Sequence, residues 1–153
     1  MGEALQEFFA AVYPVLPQFL LVVALTLGIG ATNKLSFDAQ GVMGSDIFAD
    51  ETTTESKNQY KFIAFGFAKA FANVFTAVYS DKLGKTKILS IGWIAGIVHA
   101  SMVLGQVFEV TIWSNIFLGI QQGVCWSLMI FYMIDYAGPS NRALAVGLNE
   151  TVS

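Results

Sequence analysis

The chain is poor in charged residues. Only 12% of its 153 residues are Asp, Glu, Lys or Arg, and the net charge is −3. This is about half the charged share of soluble domains. Hydrophobic residues make up 55% of the chain, and the mean hydropathy is +0.60. The sequence has no clustered basic patch of the kind that binds nucleic acid, so we expect no nucleic-acid partner.

The chain also has little cysteine, and its N-terminus is not basic. The single cysteine, Cys125, excludes an intrachain disulfide. The first nine residues, MGEALQEFF, contain two Glu and neither Lys nor Arg. A cleavable signal peptide would begin with basic residues, so we interpret the first apolar run as a retained span.

The residue sets that carry enzyme chemistry are absent from the sequence. There is no Ser-His-Asp set, no cluster with metal-ligand spacing and no Gly-rich phosphate loop. The sequence therefore predicts no enzyme activity, no catalytic residue, no cofactor and no metal site.

Long apolar runs are the main feature of the sequence. Four of them lie at about 12–31, 61–79, 88–107 and 110–134. A helix of about 20 apolar residues crosses about 30 Å of hydrocarbon. A large soluble helical core would need polar faces at the helical period, and these runs are apolar nearly all round. The predicted fold class is an all-α, polytopic transmembrane helix bundle.

Polar segments separate these runs. Residues 32–60 are predicted to form a long polar loop, and DYAGPSNR at 135–142 forms a Gly-Pro turn. A fifth span is predicted to start at 143, but eleven residues cannot cross a bilayer. Either this element lies at the interface or the bundle is truncated in this chain, and we favour truncation.

Span two contains a polar stripe. Lys69, Asn73, Thr76 and Ser80 lie three or four residues apart and so share one helix face. A lysine in mid-membrane is costly, and such residues often mark a transport pathway. A role of Lys69 and Asn73 in a substrate or coupling pathway is one hypothesis. A structurally paired or snorkelling lysine is the other.

Span four has a mixed polar and aromatic face. Gln122, Trp126, Met129 and Met133 share it. This face could line the same pathway, or it could serve helix packing and interhelical hydrogen bonds. Both interpretations remain open for Gln122 and Trp126.

Two further titratable residues fall within predicted spans. Glu150 lies eight residues past Arg142, so a continuing helix would carry it about 12 Å into the membrane. It is a candidate coupling residue, or a structural partner for a cation such as Lys69. For His99 we favour a structural role, with satisfied hydrogen bonds, over a proton relay.

The densest charge cluster, SDKLGKTK at 80–87, lies between two apolar runs. Its three lysines are Lys82, Lys85 and Lys87. Short loops rich in Lys carry the positive-inside signal best. The cluster is therefore predicted to be cytoplasmic, which also places the N-terminus in the cytoplasm.

This cluster resembles a family signature. AVYSDKLGKTK at 77–87 is similar to the motif between spans two and three of the major facilitator superfamily, which reads roughly G-x-L-x-D-R-x-G-R-R/K. Asp81, Gly84 and Lys85 fit it, and Lys82 stands where Arg is usual. The departures are Ala77, Tyr79 and Thr86.

Other segments resemble the drug-efflux-like group of the same superfamily. GPSNRALAVGLNE at 138–150 is similar to its junction between spans four and five. FGFAKAFAN at 65–73 and GIQQGVCWS at 119–127 are similar to it as well. The resemblance covers the whole chain, with spans and loops in register.

The resemblance implies a fold and a mechanism. Residues 1–153 would form the truncated N-terminal bundle of a protein of about twelve helices, whose substrate site lies between two bundles. It would be a multi-pass protein of the cell or cytoplasmic membrane. Its partners would be a small-molecule substrate such as a drug, a proton or other coupling ion, the lipid bilayer and the missing C-terminal half. Lys69, Glu150 and, less strongly, His99 are the candidate proton-binding groups.

The resemblance also implies a role for the cytoplasmic loop. In such transporters the motif latches the two halves together in one state of alternating access. The expected pairs within this chain are Asp81 with Arg142 and Asp135 with Lys85. The alternative for the lysines is simple topological anchoring. The alternative for the whole protein is a non-transporting membrane sensor or assembly module built on the same bundle.

Overall fold

In the computed structural model, helices account for nearly all of the described chain. The backbone is described over residues 2–47, 51–103 and 108–152, and side chains over 2–38, 59–102 and 110–152. The helices are α1 (Gly2–Val12), α2 (Leu16–Ile47), α3 (Glu51–Leu83), α4 (Lys85–Val103), α5 (Phe108–Ala137) and α6 (Arg142–Val152), with short 3₁₀ turns at Tyr13–Val15 and Pro139–Asn141. The described residues contain no strand, which agrees with the predicted all-α class.

Three helical segments are long and apolar enough to cross a membrane. They are Gly2–Asp38, Gln59–Leu83 and Val110–Ala137. They contain the first, second and fourth predicted spans. The predicted span at 88–107 corresponds to α4, but residues 104–107 lie outside the described part of the chain.

The predicted loop at 32–60 is wrong where the structure describes it. Helix α2 continues to Ile47, and α3 begins at Glu51. The polarity of this segment argued against contact with lipid, but polarity alone does not break a helix. No proline or positive-φ residue interrupts the described part of 32–60, so nothing there stops helical hydrogen bonding.

Two glycines end helices. Gly84 has a φ of 92°, and its N–H donates to the carbonyl of Ser80 at 3.1 Å. Gly138 has a φ of 81° and donates to the carbonyl of Ile134 at 2.9 Å. A left-handed residue with this 5→1 bond is a standard helix C-terminus, and glycine adopts it without strain. Both predicted turns are thereby confirmed.

The helices form two compact units. The first unit comprises Met1–Ala31 and Trp126–Ser153, and the second comprises Thr32–Cys125. In the first unit, Phe8 packs edge-to-face on Phe19 with ring centroids 5.8 Å apart. In the same unit the Thr26 hydroxyl lies 3.4 Å from the Asn149 Oδ1 atom, which ties α6 to α2.

The second unit is built on close helix contacts at glycines of α5 and α4. A Cβ atom at Gly119 would lie 2.5 Å from the Phe65 carbonyl oxygen, and one at Gly123 would lie 2.7 Å from the Lys69 carbonyl oxygen. A Cβ atom at Gly92 would lie 2.6 Å from the Cys125 Sγ atom. Small residues at these positions let α3 and α4 approach α5 closely.

Candidate functional site

The polar stripe of α3 faces the interior of the second unit at one end and becomes partly open towards the middle. Thr76 and Ser80 are buried, whereas Lys69 and Asn73 are half-buried. The backbone of Lys69 and Asn73 packs on Gly123 of α5. The predicted stripe is therefore a real face of α3, and it is the face that packs on α5.

Lys69 lies near the centre of its span. It is the eleventh residue of the 25-residue candidate span Gln59–Leu83. Its Nζ atom lies 5.7 Å from the centre of the Phe65 ring, one turn earlier on the same helix. A cation near an aromatic face is stabilised by the ring quadrupole, by about 0.5–1 kcal/mol or more when desolvated. This contact keeps the ammonium beside the helix surface at mid-membrane depth.

The opposite face of α3 is apolar and exposed. Phe67, Phe71 and Val74 are all more than half exposed. Their spacing of three or four residues places them on one side of the helix. The same helix thus has an outer apolar side suited to lipid and an inner side that carries Lys69 and Asn73.

The predicted face of α5 is buried. Gln122, Met129 and Met133 have no exposed surface, and Trp126 is half-buried. The neighbouring Gln121 is buried too, and neither of its side-chain polar atoms has a hydrogen-bond partner among the described residues. Gln122 was the predicted pathway residue on this face, whereas Gln121 is the one with both side-chain polar atoms buried and without a hydrogen bond in the described part of the chain.

His99 joins three helices of the second unit and is 1% exposed. Its Nε2 atom lies 2.7 Å from the Ser36 hydroxyl, and that hydroxyl donates to the carbonyl of Thr32. The Ser114 hydroxyl lies 2.8 Å from Nδ1 and can donate to it. The carbonyl oxygen of Ser114 also lies 2.9 Å from Nδ1. Both ring nitrogens therefore have polar partners, so His99 is a histidine with satisfied hydrogen bonds, as the favoured interpretation holds.

The residues of the predicted latch lie at helix ends. Asp81 and Lys82 are exposed in the last turn of α3, and Lys85 is half-buried at the start of α4. Asp135 is exposed in the last turn of α5, and Arg142 is exposed at the first residue of α6. Asp81 and Lys85 belong to the second unit, whereas Asp135 and Arg142 belong to the first. Both pairings stay predictions.

Glu150 lies on α6 as expected. The helix runs unbroken from Arg142 to Val152, and Glu150 is exposed while its neighbour Asn149 is buried. The burial of Asn149 was not predicted from the sequence. Its spacing of four residues from Ala145, which is also buried, is the signal that could have found it. The predicted pairing of Glu150 with Lys69 involves different units and stays a prediction.

No cluster of three or more His, Cys, Asp or Glu side chains that could hold a metal ion occurs among the residues that the structure describes. The one cysteine, Cys125, is buried and free.

These features define an all-α integral membrane protein whose spans carry polar residues on inward faces. Residues 8–153 match the family described as Major Facilitator Superfamily. The chain belongs to this superfamily, and membership implies transport of a solute across a membrane. No curated protein and no solved structure gave a significant match.

Proposed function

We propose that the protein is a secondary transporter of a small solute, of the drug-efflux type, which works by alternating access and is coupled to protons. The observation that carries this proposal is the position of Lys69. It lies at mid-span on the inner face of α3, one turn from Asn73. An ionisable residue at this depth is expensive to insert and is typical of substrate or ion pathways.

The pathway in this proposal runs along α3 and the facing part of α5. Lys69 and Asn73 contribute from α3, and Gln122 and Trp126 contribute from α5. Glu150 on α6 supplies a second titratable group. Amide and indole groups suit a solute with mixed polar and aromatic character, while a titratable amine and carboxylate suit coupling to protons.

The loop at 80–87 acts as a cytoplasmic latch in this proposal. Gly84 makes the sharp turn that brings the end of α3 to the start of α4. Asp81 lies two residues before Leu83, the last residue of α3, and four before Lys85. A carboxylate at such a site is stabilised by a cation or by a helix N-terminus. Arg142 is the proposed cation, and Lys85 is the proposed partner of Asp135.

Replacing the latch carboxylate should slow transport without loss of protein. Asp81→Asn keeps the side-chain size but loses the charge-assisted hydrogen bonds. We expect a roughly tenfold fall in the transport rate, since such bonds contribute about 1.5–3 kcal/mol. The measurement is solute flux in vesicles reconstituted with the full-length protein.

A double-mutant cycle tests the pairing itself. Arg142→Ala should cause a similar loss, and the double variant should lose less than the sum of the two because the residues form one pair. Asp38→Asn is the matched control, since Asp38 is an exposed acid on α2. Strictly additive losses would reject the Asp81–Arg142 pair, and full activity of Asp81→Asn would reject the latch.

We propose that the loop at 80–87 and the N-terminus face the cytoplasm, whereas the polar segment of 32–60 faces outward. The three lysines of the short turn support this orientation. In a variant that lacks Cys125, a membrane-impermeant thiol reagent should label Asp46→Cys but not Lys85→Cys in intact cells. Labelling of position 85 alone would reverse the orientation.

A further inference from the structure

The second unit has an apolar groove between α3, α4 and α5, with a volume of about 180 Å³. No polar atom contributes to the surface of the groove, so it offers an occupant neither a hydrogen bond nor a charge. The residues that line it all belong to the described part of the chain. They are Phe71, Ala72 and Phe75 of α3, Ile91 of α4, and Ile120 and Val124 of α5.

The floor of the groove is the strip of α5 that lies between its two neighbouring helices. Gly119 and Gly123 pack on α3, whereas Cys125 packs on a glycine of α4. In a helix with about 3.6 residues per turn, Ile120 and Val124 fall between these two directions. The side chains of α3 and α4 therefore form the walls of the groove.

The mouth of the groove opens on the apolar outer surface of the unit. Phe71 is 75% exposed and Ile91 is 48% exposed, whereas Val124 on the floor is only 2% exposed. Next to the mouth, Val74 of α3 and Ile94 of α4 are both more than half exposed. The groove is thus continuous with the outer apolar side of α3 that suits contact with lipid.

The groove lies near the middle of the membrane-spanning helices. Phe71 is the thirteenth residue of the 25-residue candidate span Gln59–Leu83, and Ile120 is the eleventh of the 28-residue candidate span Val110–Ala137. The hydrocarbon core of a bilayer is about 30 Å thick and contains no water. At the depth of this groove the surrounding medium consists of the ends of acyl chains.

We propose that the groove binds the terminal segment of a lipid acyl chain. An engineered apolar cavity of about 150 Å³ stays dry and takes up benzene, so this groove has room for a hydrocarbon segment of about six carbon atoms. Inside a bilayer there is no hydrophobic driving force for this contact, and close packing decides it. An acyl chain supplies the van der Waals contacts that the walls and the floor would otherwise lack.

This site is separate from the proposed transport pathway. Gln122, the pathway residue of α5, lies on the opposite side of that helix from Ile120 and Val124. The proposal does not depend on proton coupling or on the identity of the transported solute. Its failure would leave the proposed transport function unaffected.

The test is photochemical labelling of the purified full-length protein in phosphatidylcholine nanodiscs. The probe is a phosphatidylcholine with a diazirine at the end of one acyl chain, and the labelled residues are identified by mass spectrometry of peptides. We expect labelling of Ile120 and Val124 in addition to the exposed Phe67. A second probe with the diazirine beside the ester should label neither Ile120 nor Val124, because the ester stays at the bilayer interface.

Two filling variants distinguish a bound chain from general contact with lipid. Ile91→Phe narrows the mouth and Ile120→Phe occupies the floor, so each should abolish the labelling of Val124 and leave that of Phe67 unchanged. Ile94→Phe is the matched control, since Ile94 is exposed on α4 and does not line the groove. It should label like the parent.

Two results would overturn the proposal. One is the absence of label from Ile120 and Val124 in the parent, which a helix seated over the groove would produce. The other is unchanged labelling of Val124 in both filling variants.

Discussion

Lys69→Met should abolish most transport while the protein still folds and inserts. Methionine keeps the length of the side chain and removes the charge, so the cost of holding an ammonium at mid-span disappears, about 2.5–3.5 kcal/mol on insertion scales. The ring contact with Phe65 is retained as an apolar contact. We expect the rate of solute flux to fall roughly 10–100-fold, the effect of losing one charged interaction in the pathway.

Two companion variants show whether the amine itself matters. Lys69→Arg should rescue transport poorly, because a planar guanidinium does not replace a compact ammonium. Lys87→Met is the matched control, since Lys87 is exposed near the start of α4. Parent-like flux in Lys69→Met at every pH would make Lys69 a structural residue and would remove the proposed pathway along α3.

Gly119→Leu should destabilise the second unit strongly. A Cβ atom there would lie 2.5 Å from the Phe65 carbonyl oxygen and 2.8 Å from the Ala68 Cβ atom. The first of these is backbone, so α3 and α5 must separate to make room. Overpacking of this kind costs about 1–3 kcal/mol, occasionally more, and the gain in helix propensity returns only about 1 kcal/mol. The melting temperature and the yield of folded protein in detergent should both fall.

Gly66→Leu is the matched control for this substitution. Gly66 lies on α3 in the same unit, and a Cβ atom there would have nothing within 4 Å. It should therefore leave stability unchanged or raise it slightly, because leucine favours a helix more than glycine does. If Gly119→Leu and Gly66→Leu were equally stable, the close contact between α3 and α5 would be refuted.

The sequence was sufficient to predict three apolar helices long enough to cross a membrane, and the turns at Gly84 and Gly138. Apolar runs of about 20 residues and a glycine in a short polar turn are local signals, and Gly84 and Gly138 end α3 and α5 as these signals require. The inner face of α3 was predictable for the same reason, since its polar residues recur at the helical period. The close contacts of Gly119 and Gly123 with α3 fit their spacing of four residues, which is typical of packing between membrane helices.

Other features depend on long-range contacts that spacing does not encode. The length of α2 beyond residue 31 was missed because a polar composition indicates contact with water without indicating backbone conformation. The burial of His99 is accompanied by contacts with Ser36 and Ser114, which other helices bring to its ring. Likewise, Asn149 and Thr26 are 123 residues apart in sequence and meet only after folding.

The most direct test of the account is solute-dependent proton movement through the full-length protein. Vesicles would contain the purified parent or Lys69→Met, a trapped pH-sensitive dye and an imposed pH gradient. A lipophilic cation such as ethidium and a panel of small amphipathic amines would serve as solutes. We predict that a solute collapses the gradient faster with the parent than with Lys69→Met or protein-free vesicles. Gradients that decay equally in all three, with every solute tested, would contradict proton-coupled transport through a pathway that includes Lys69.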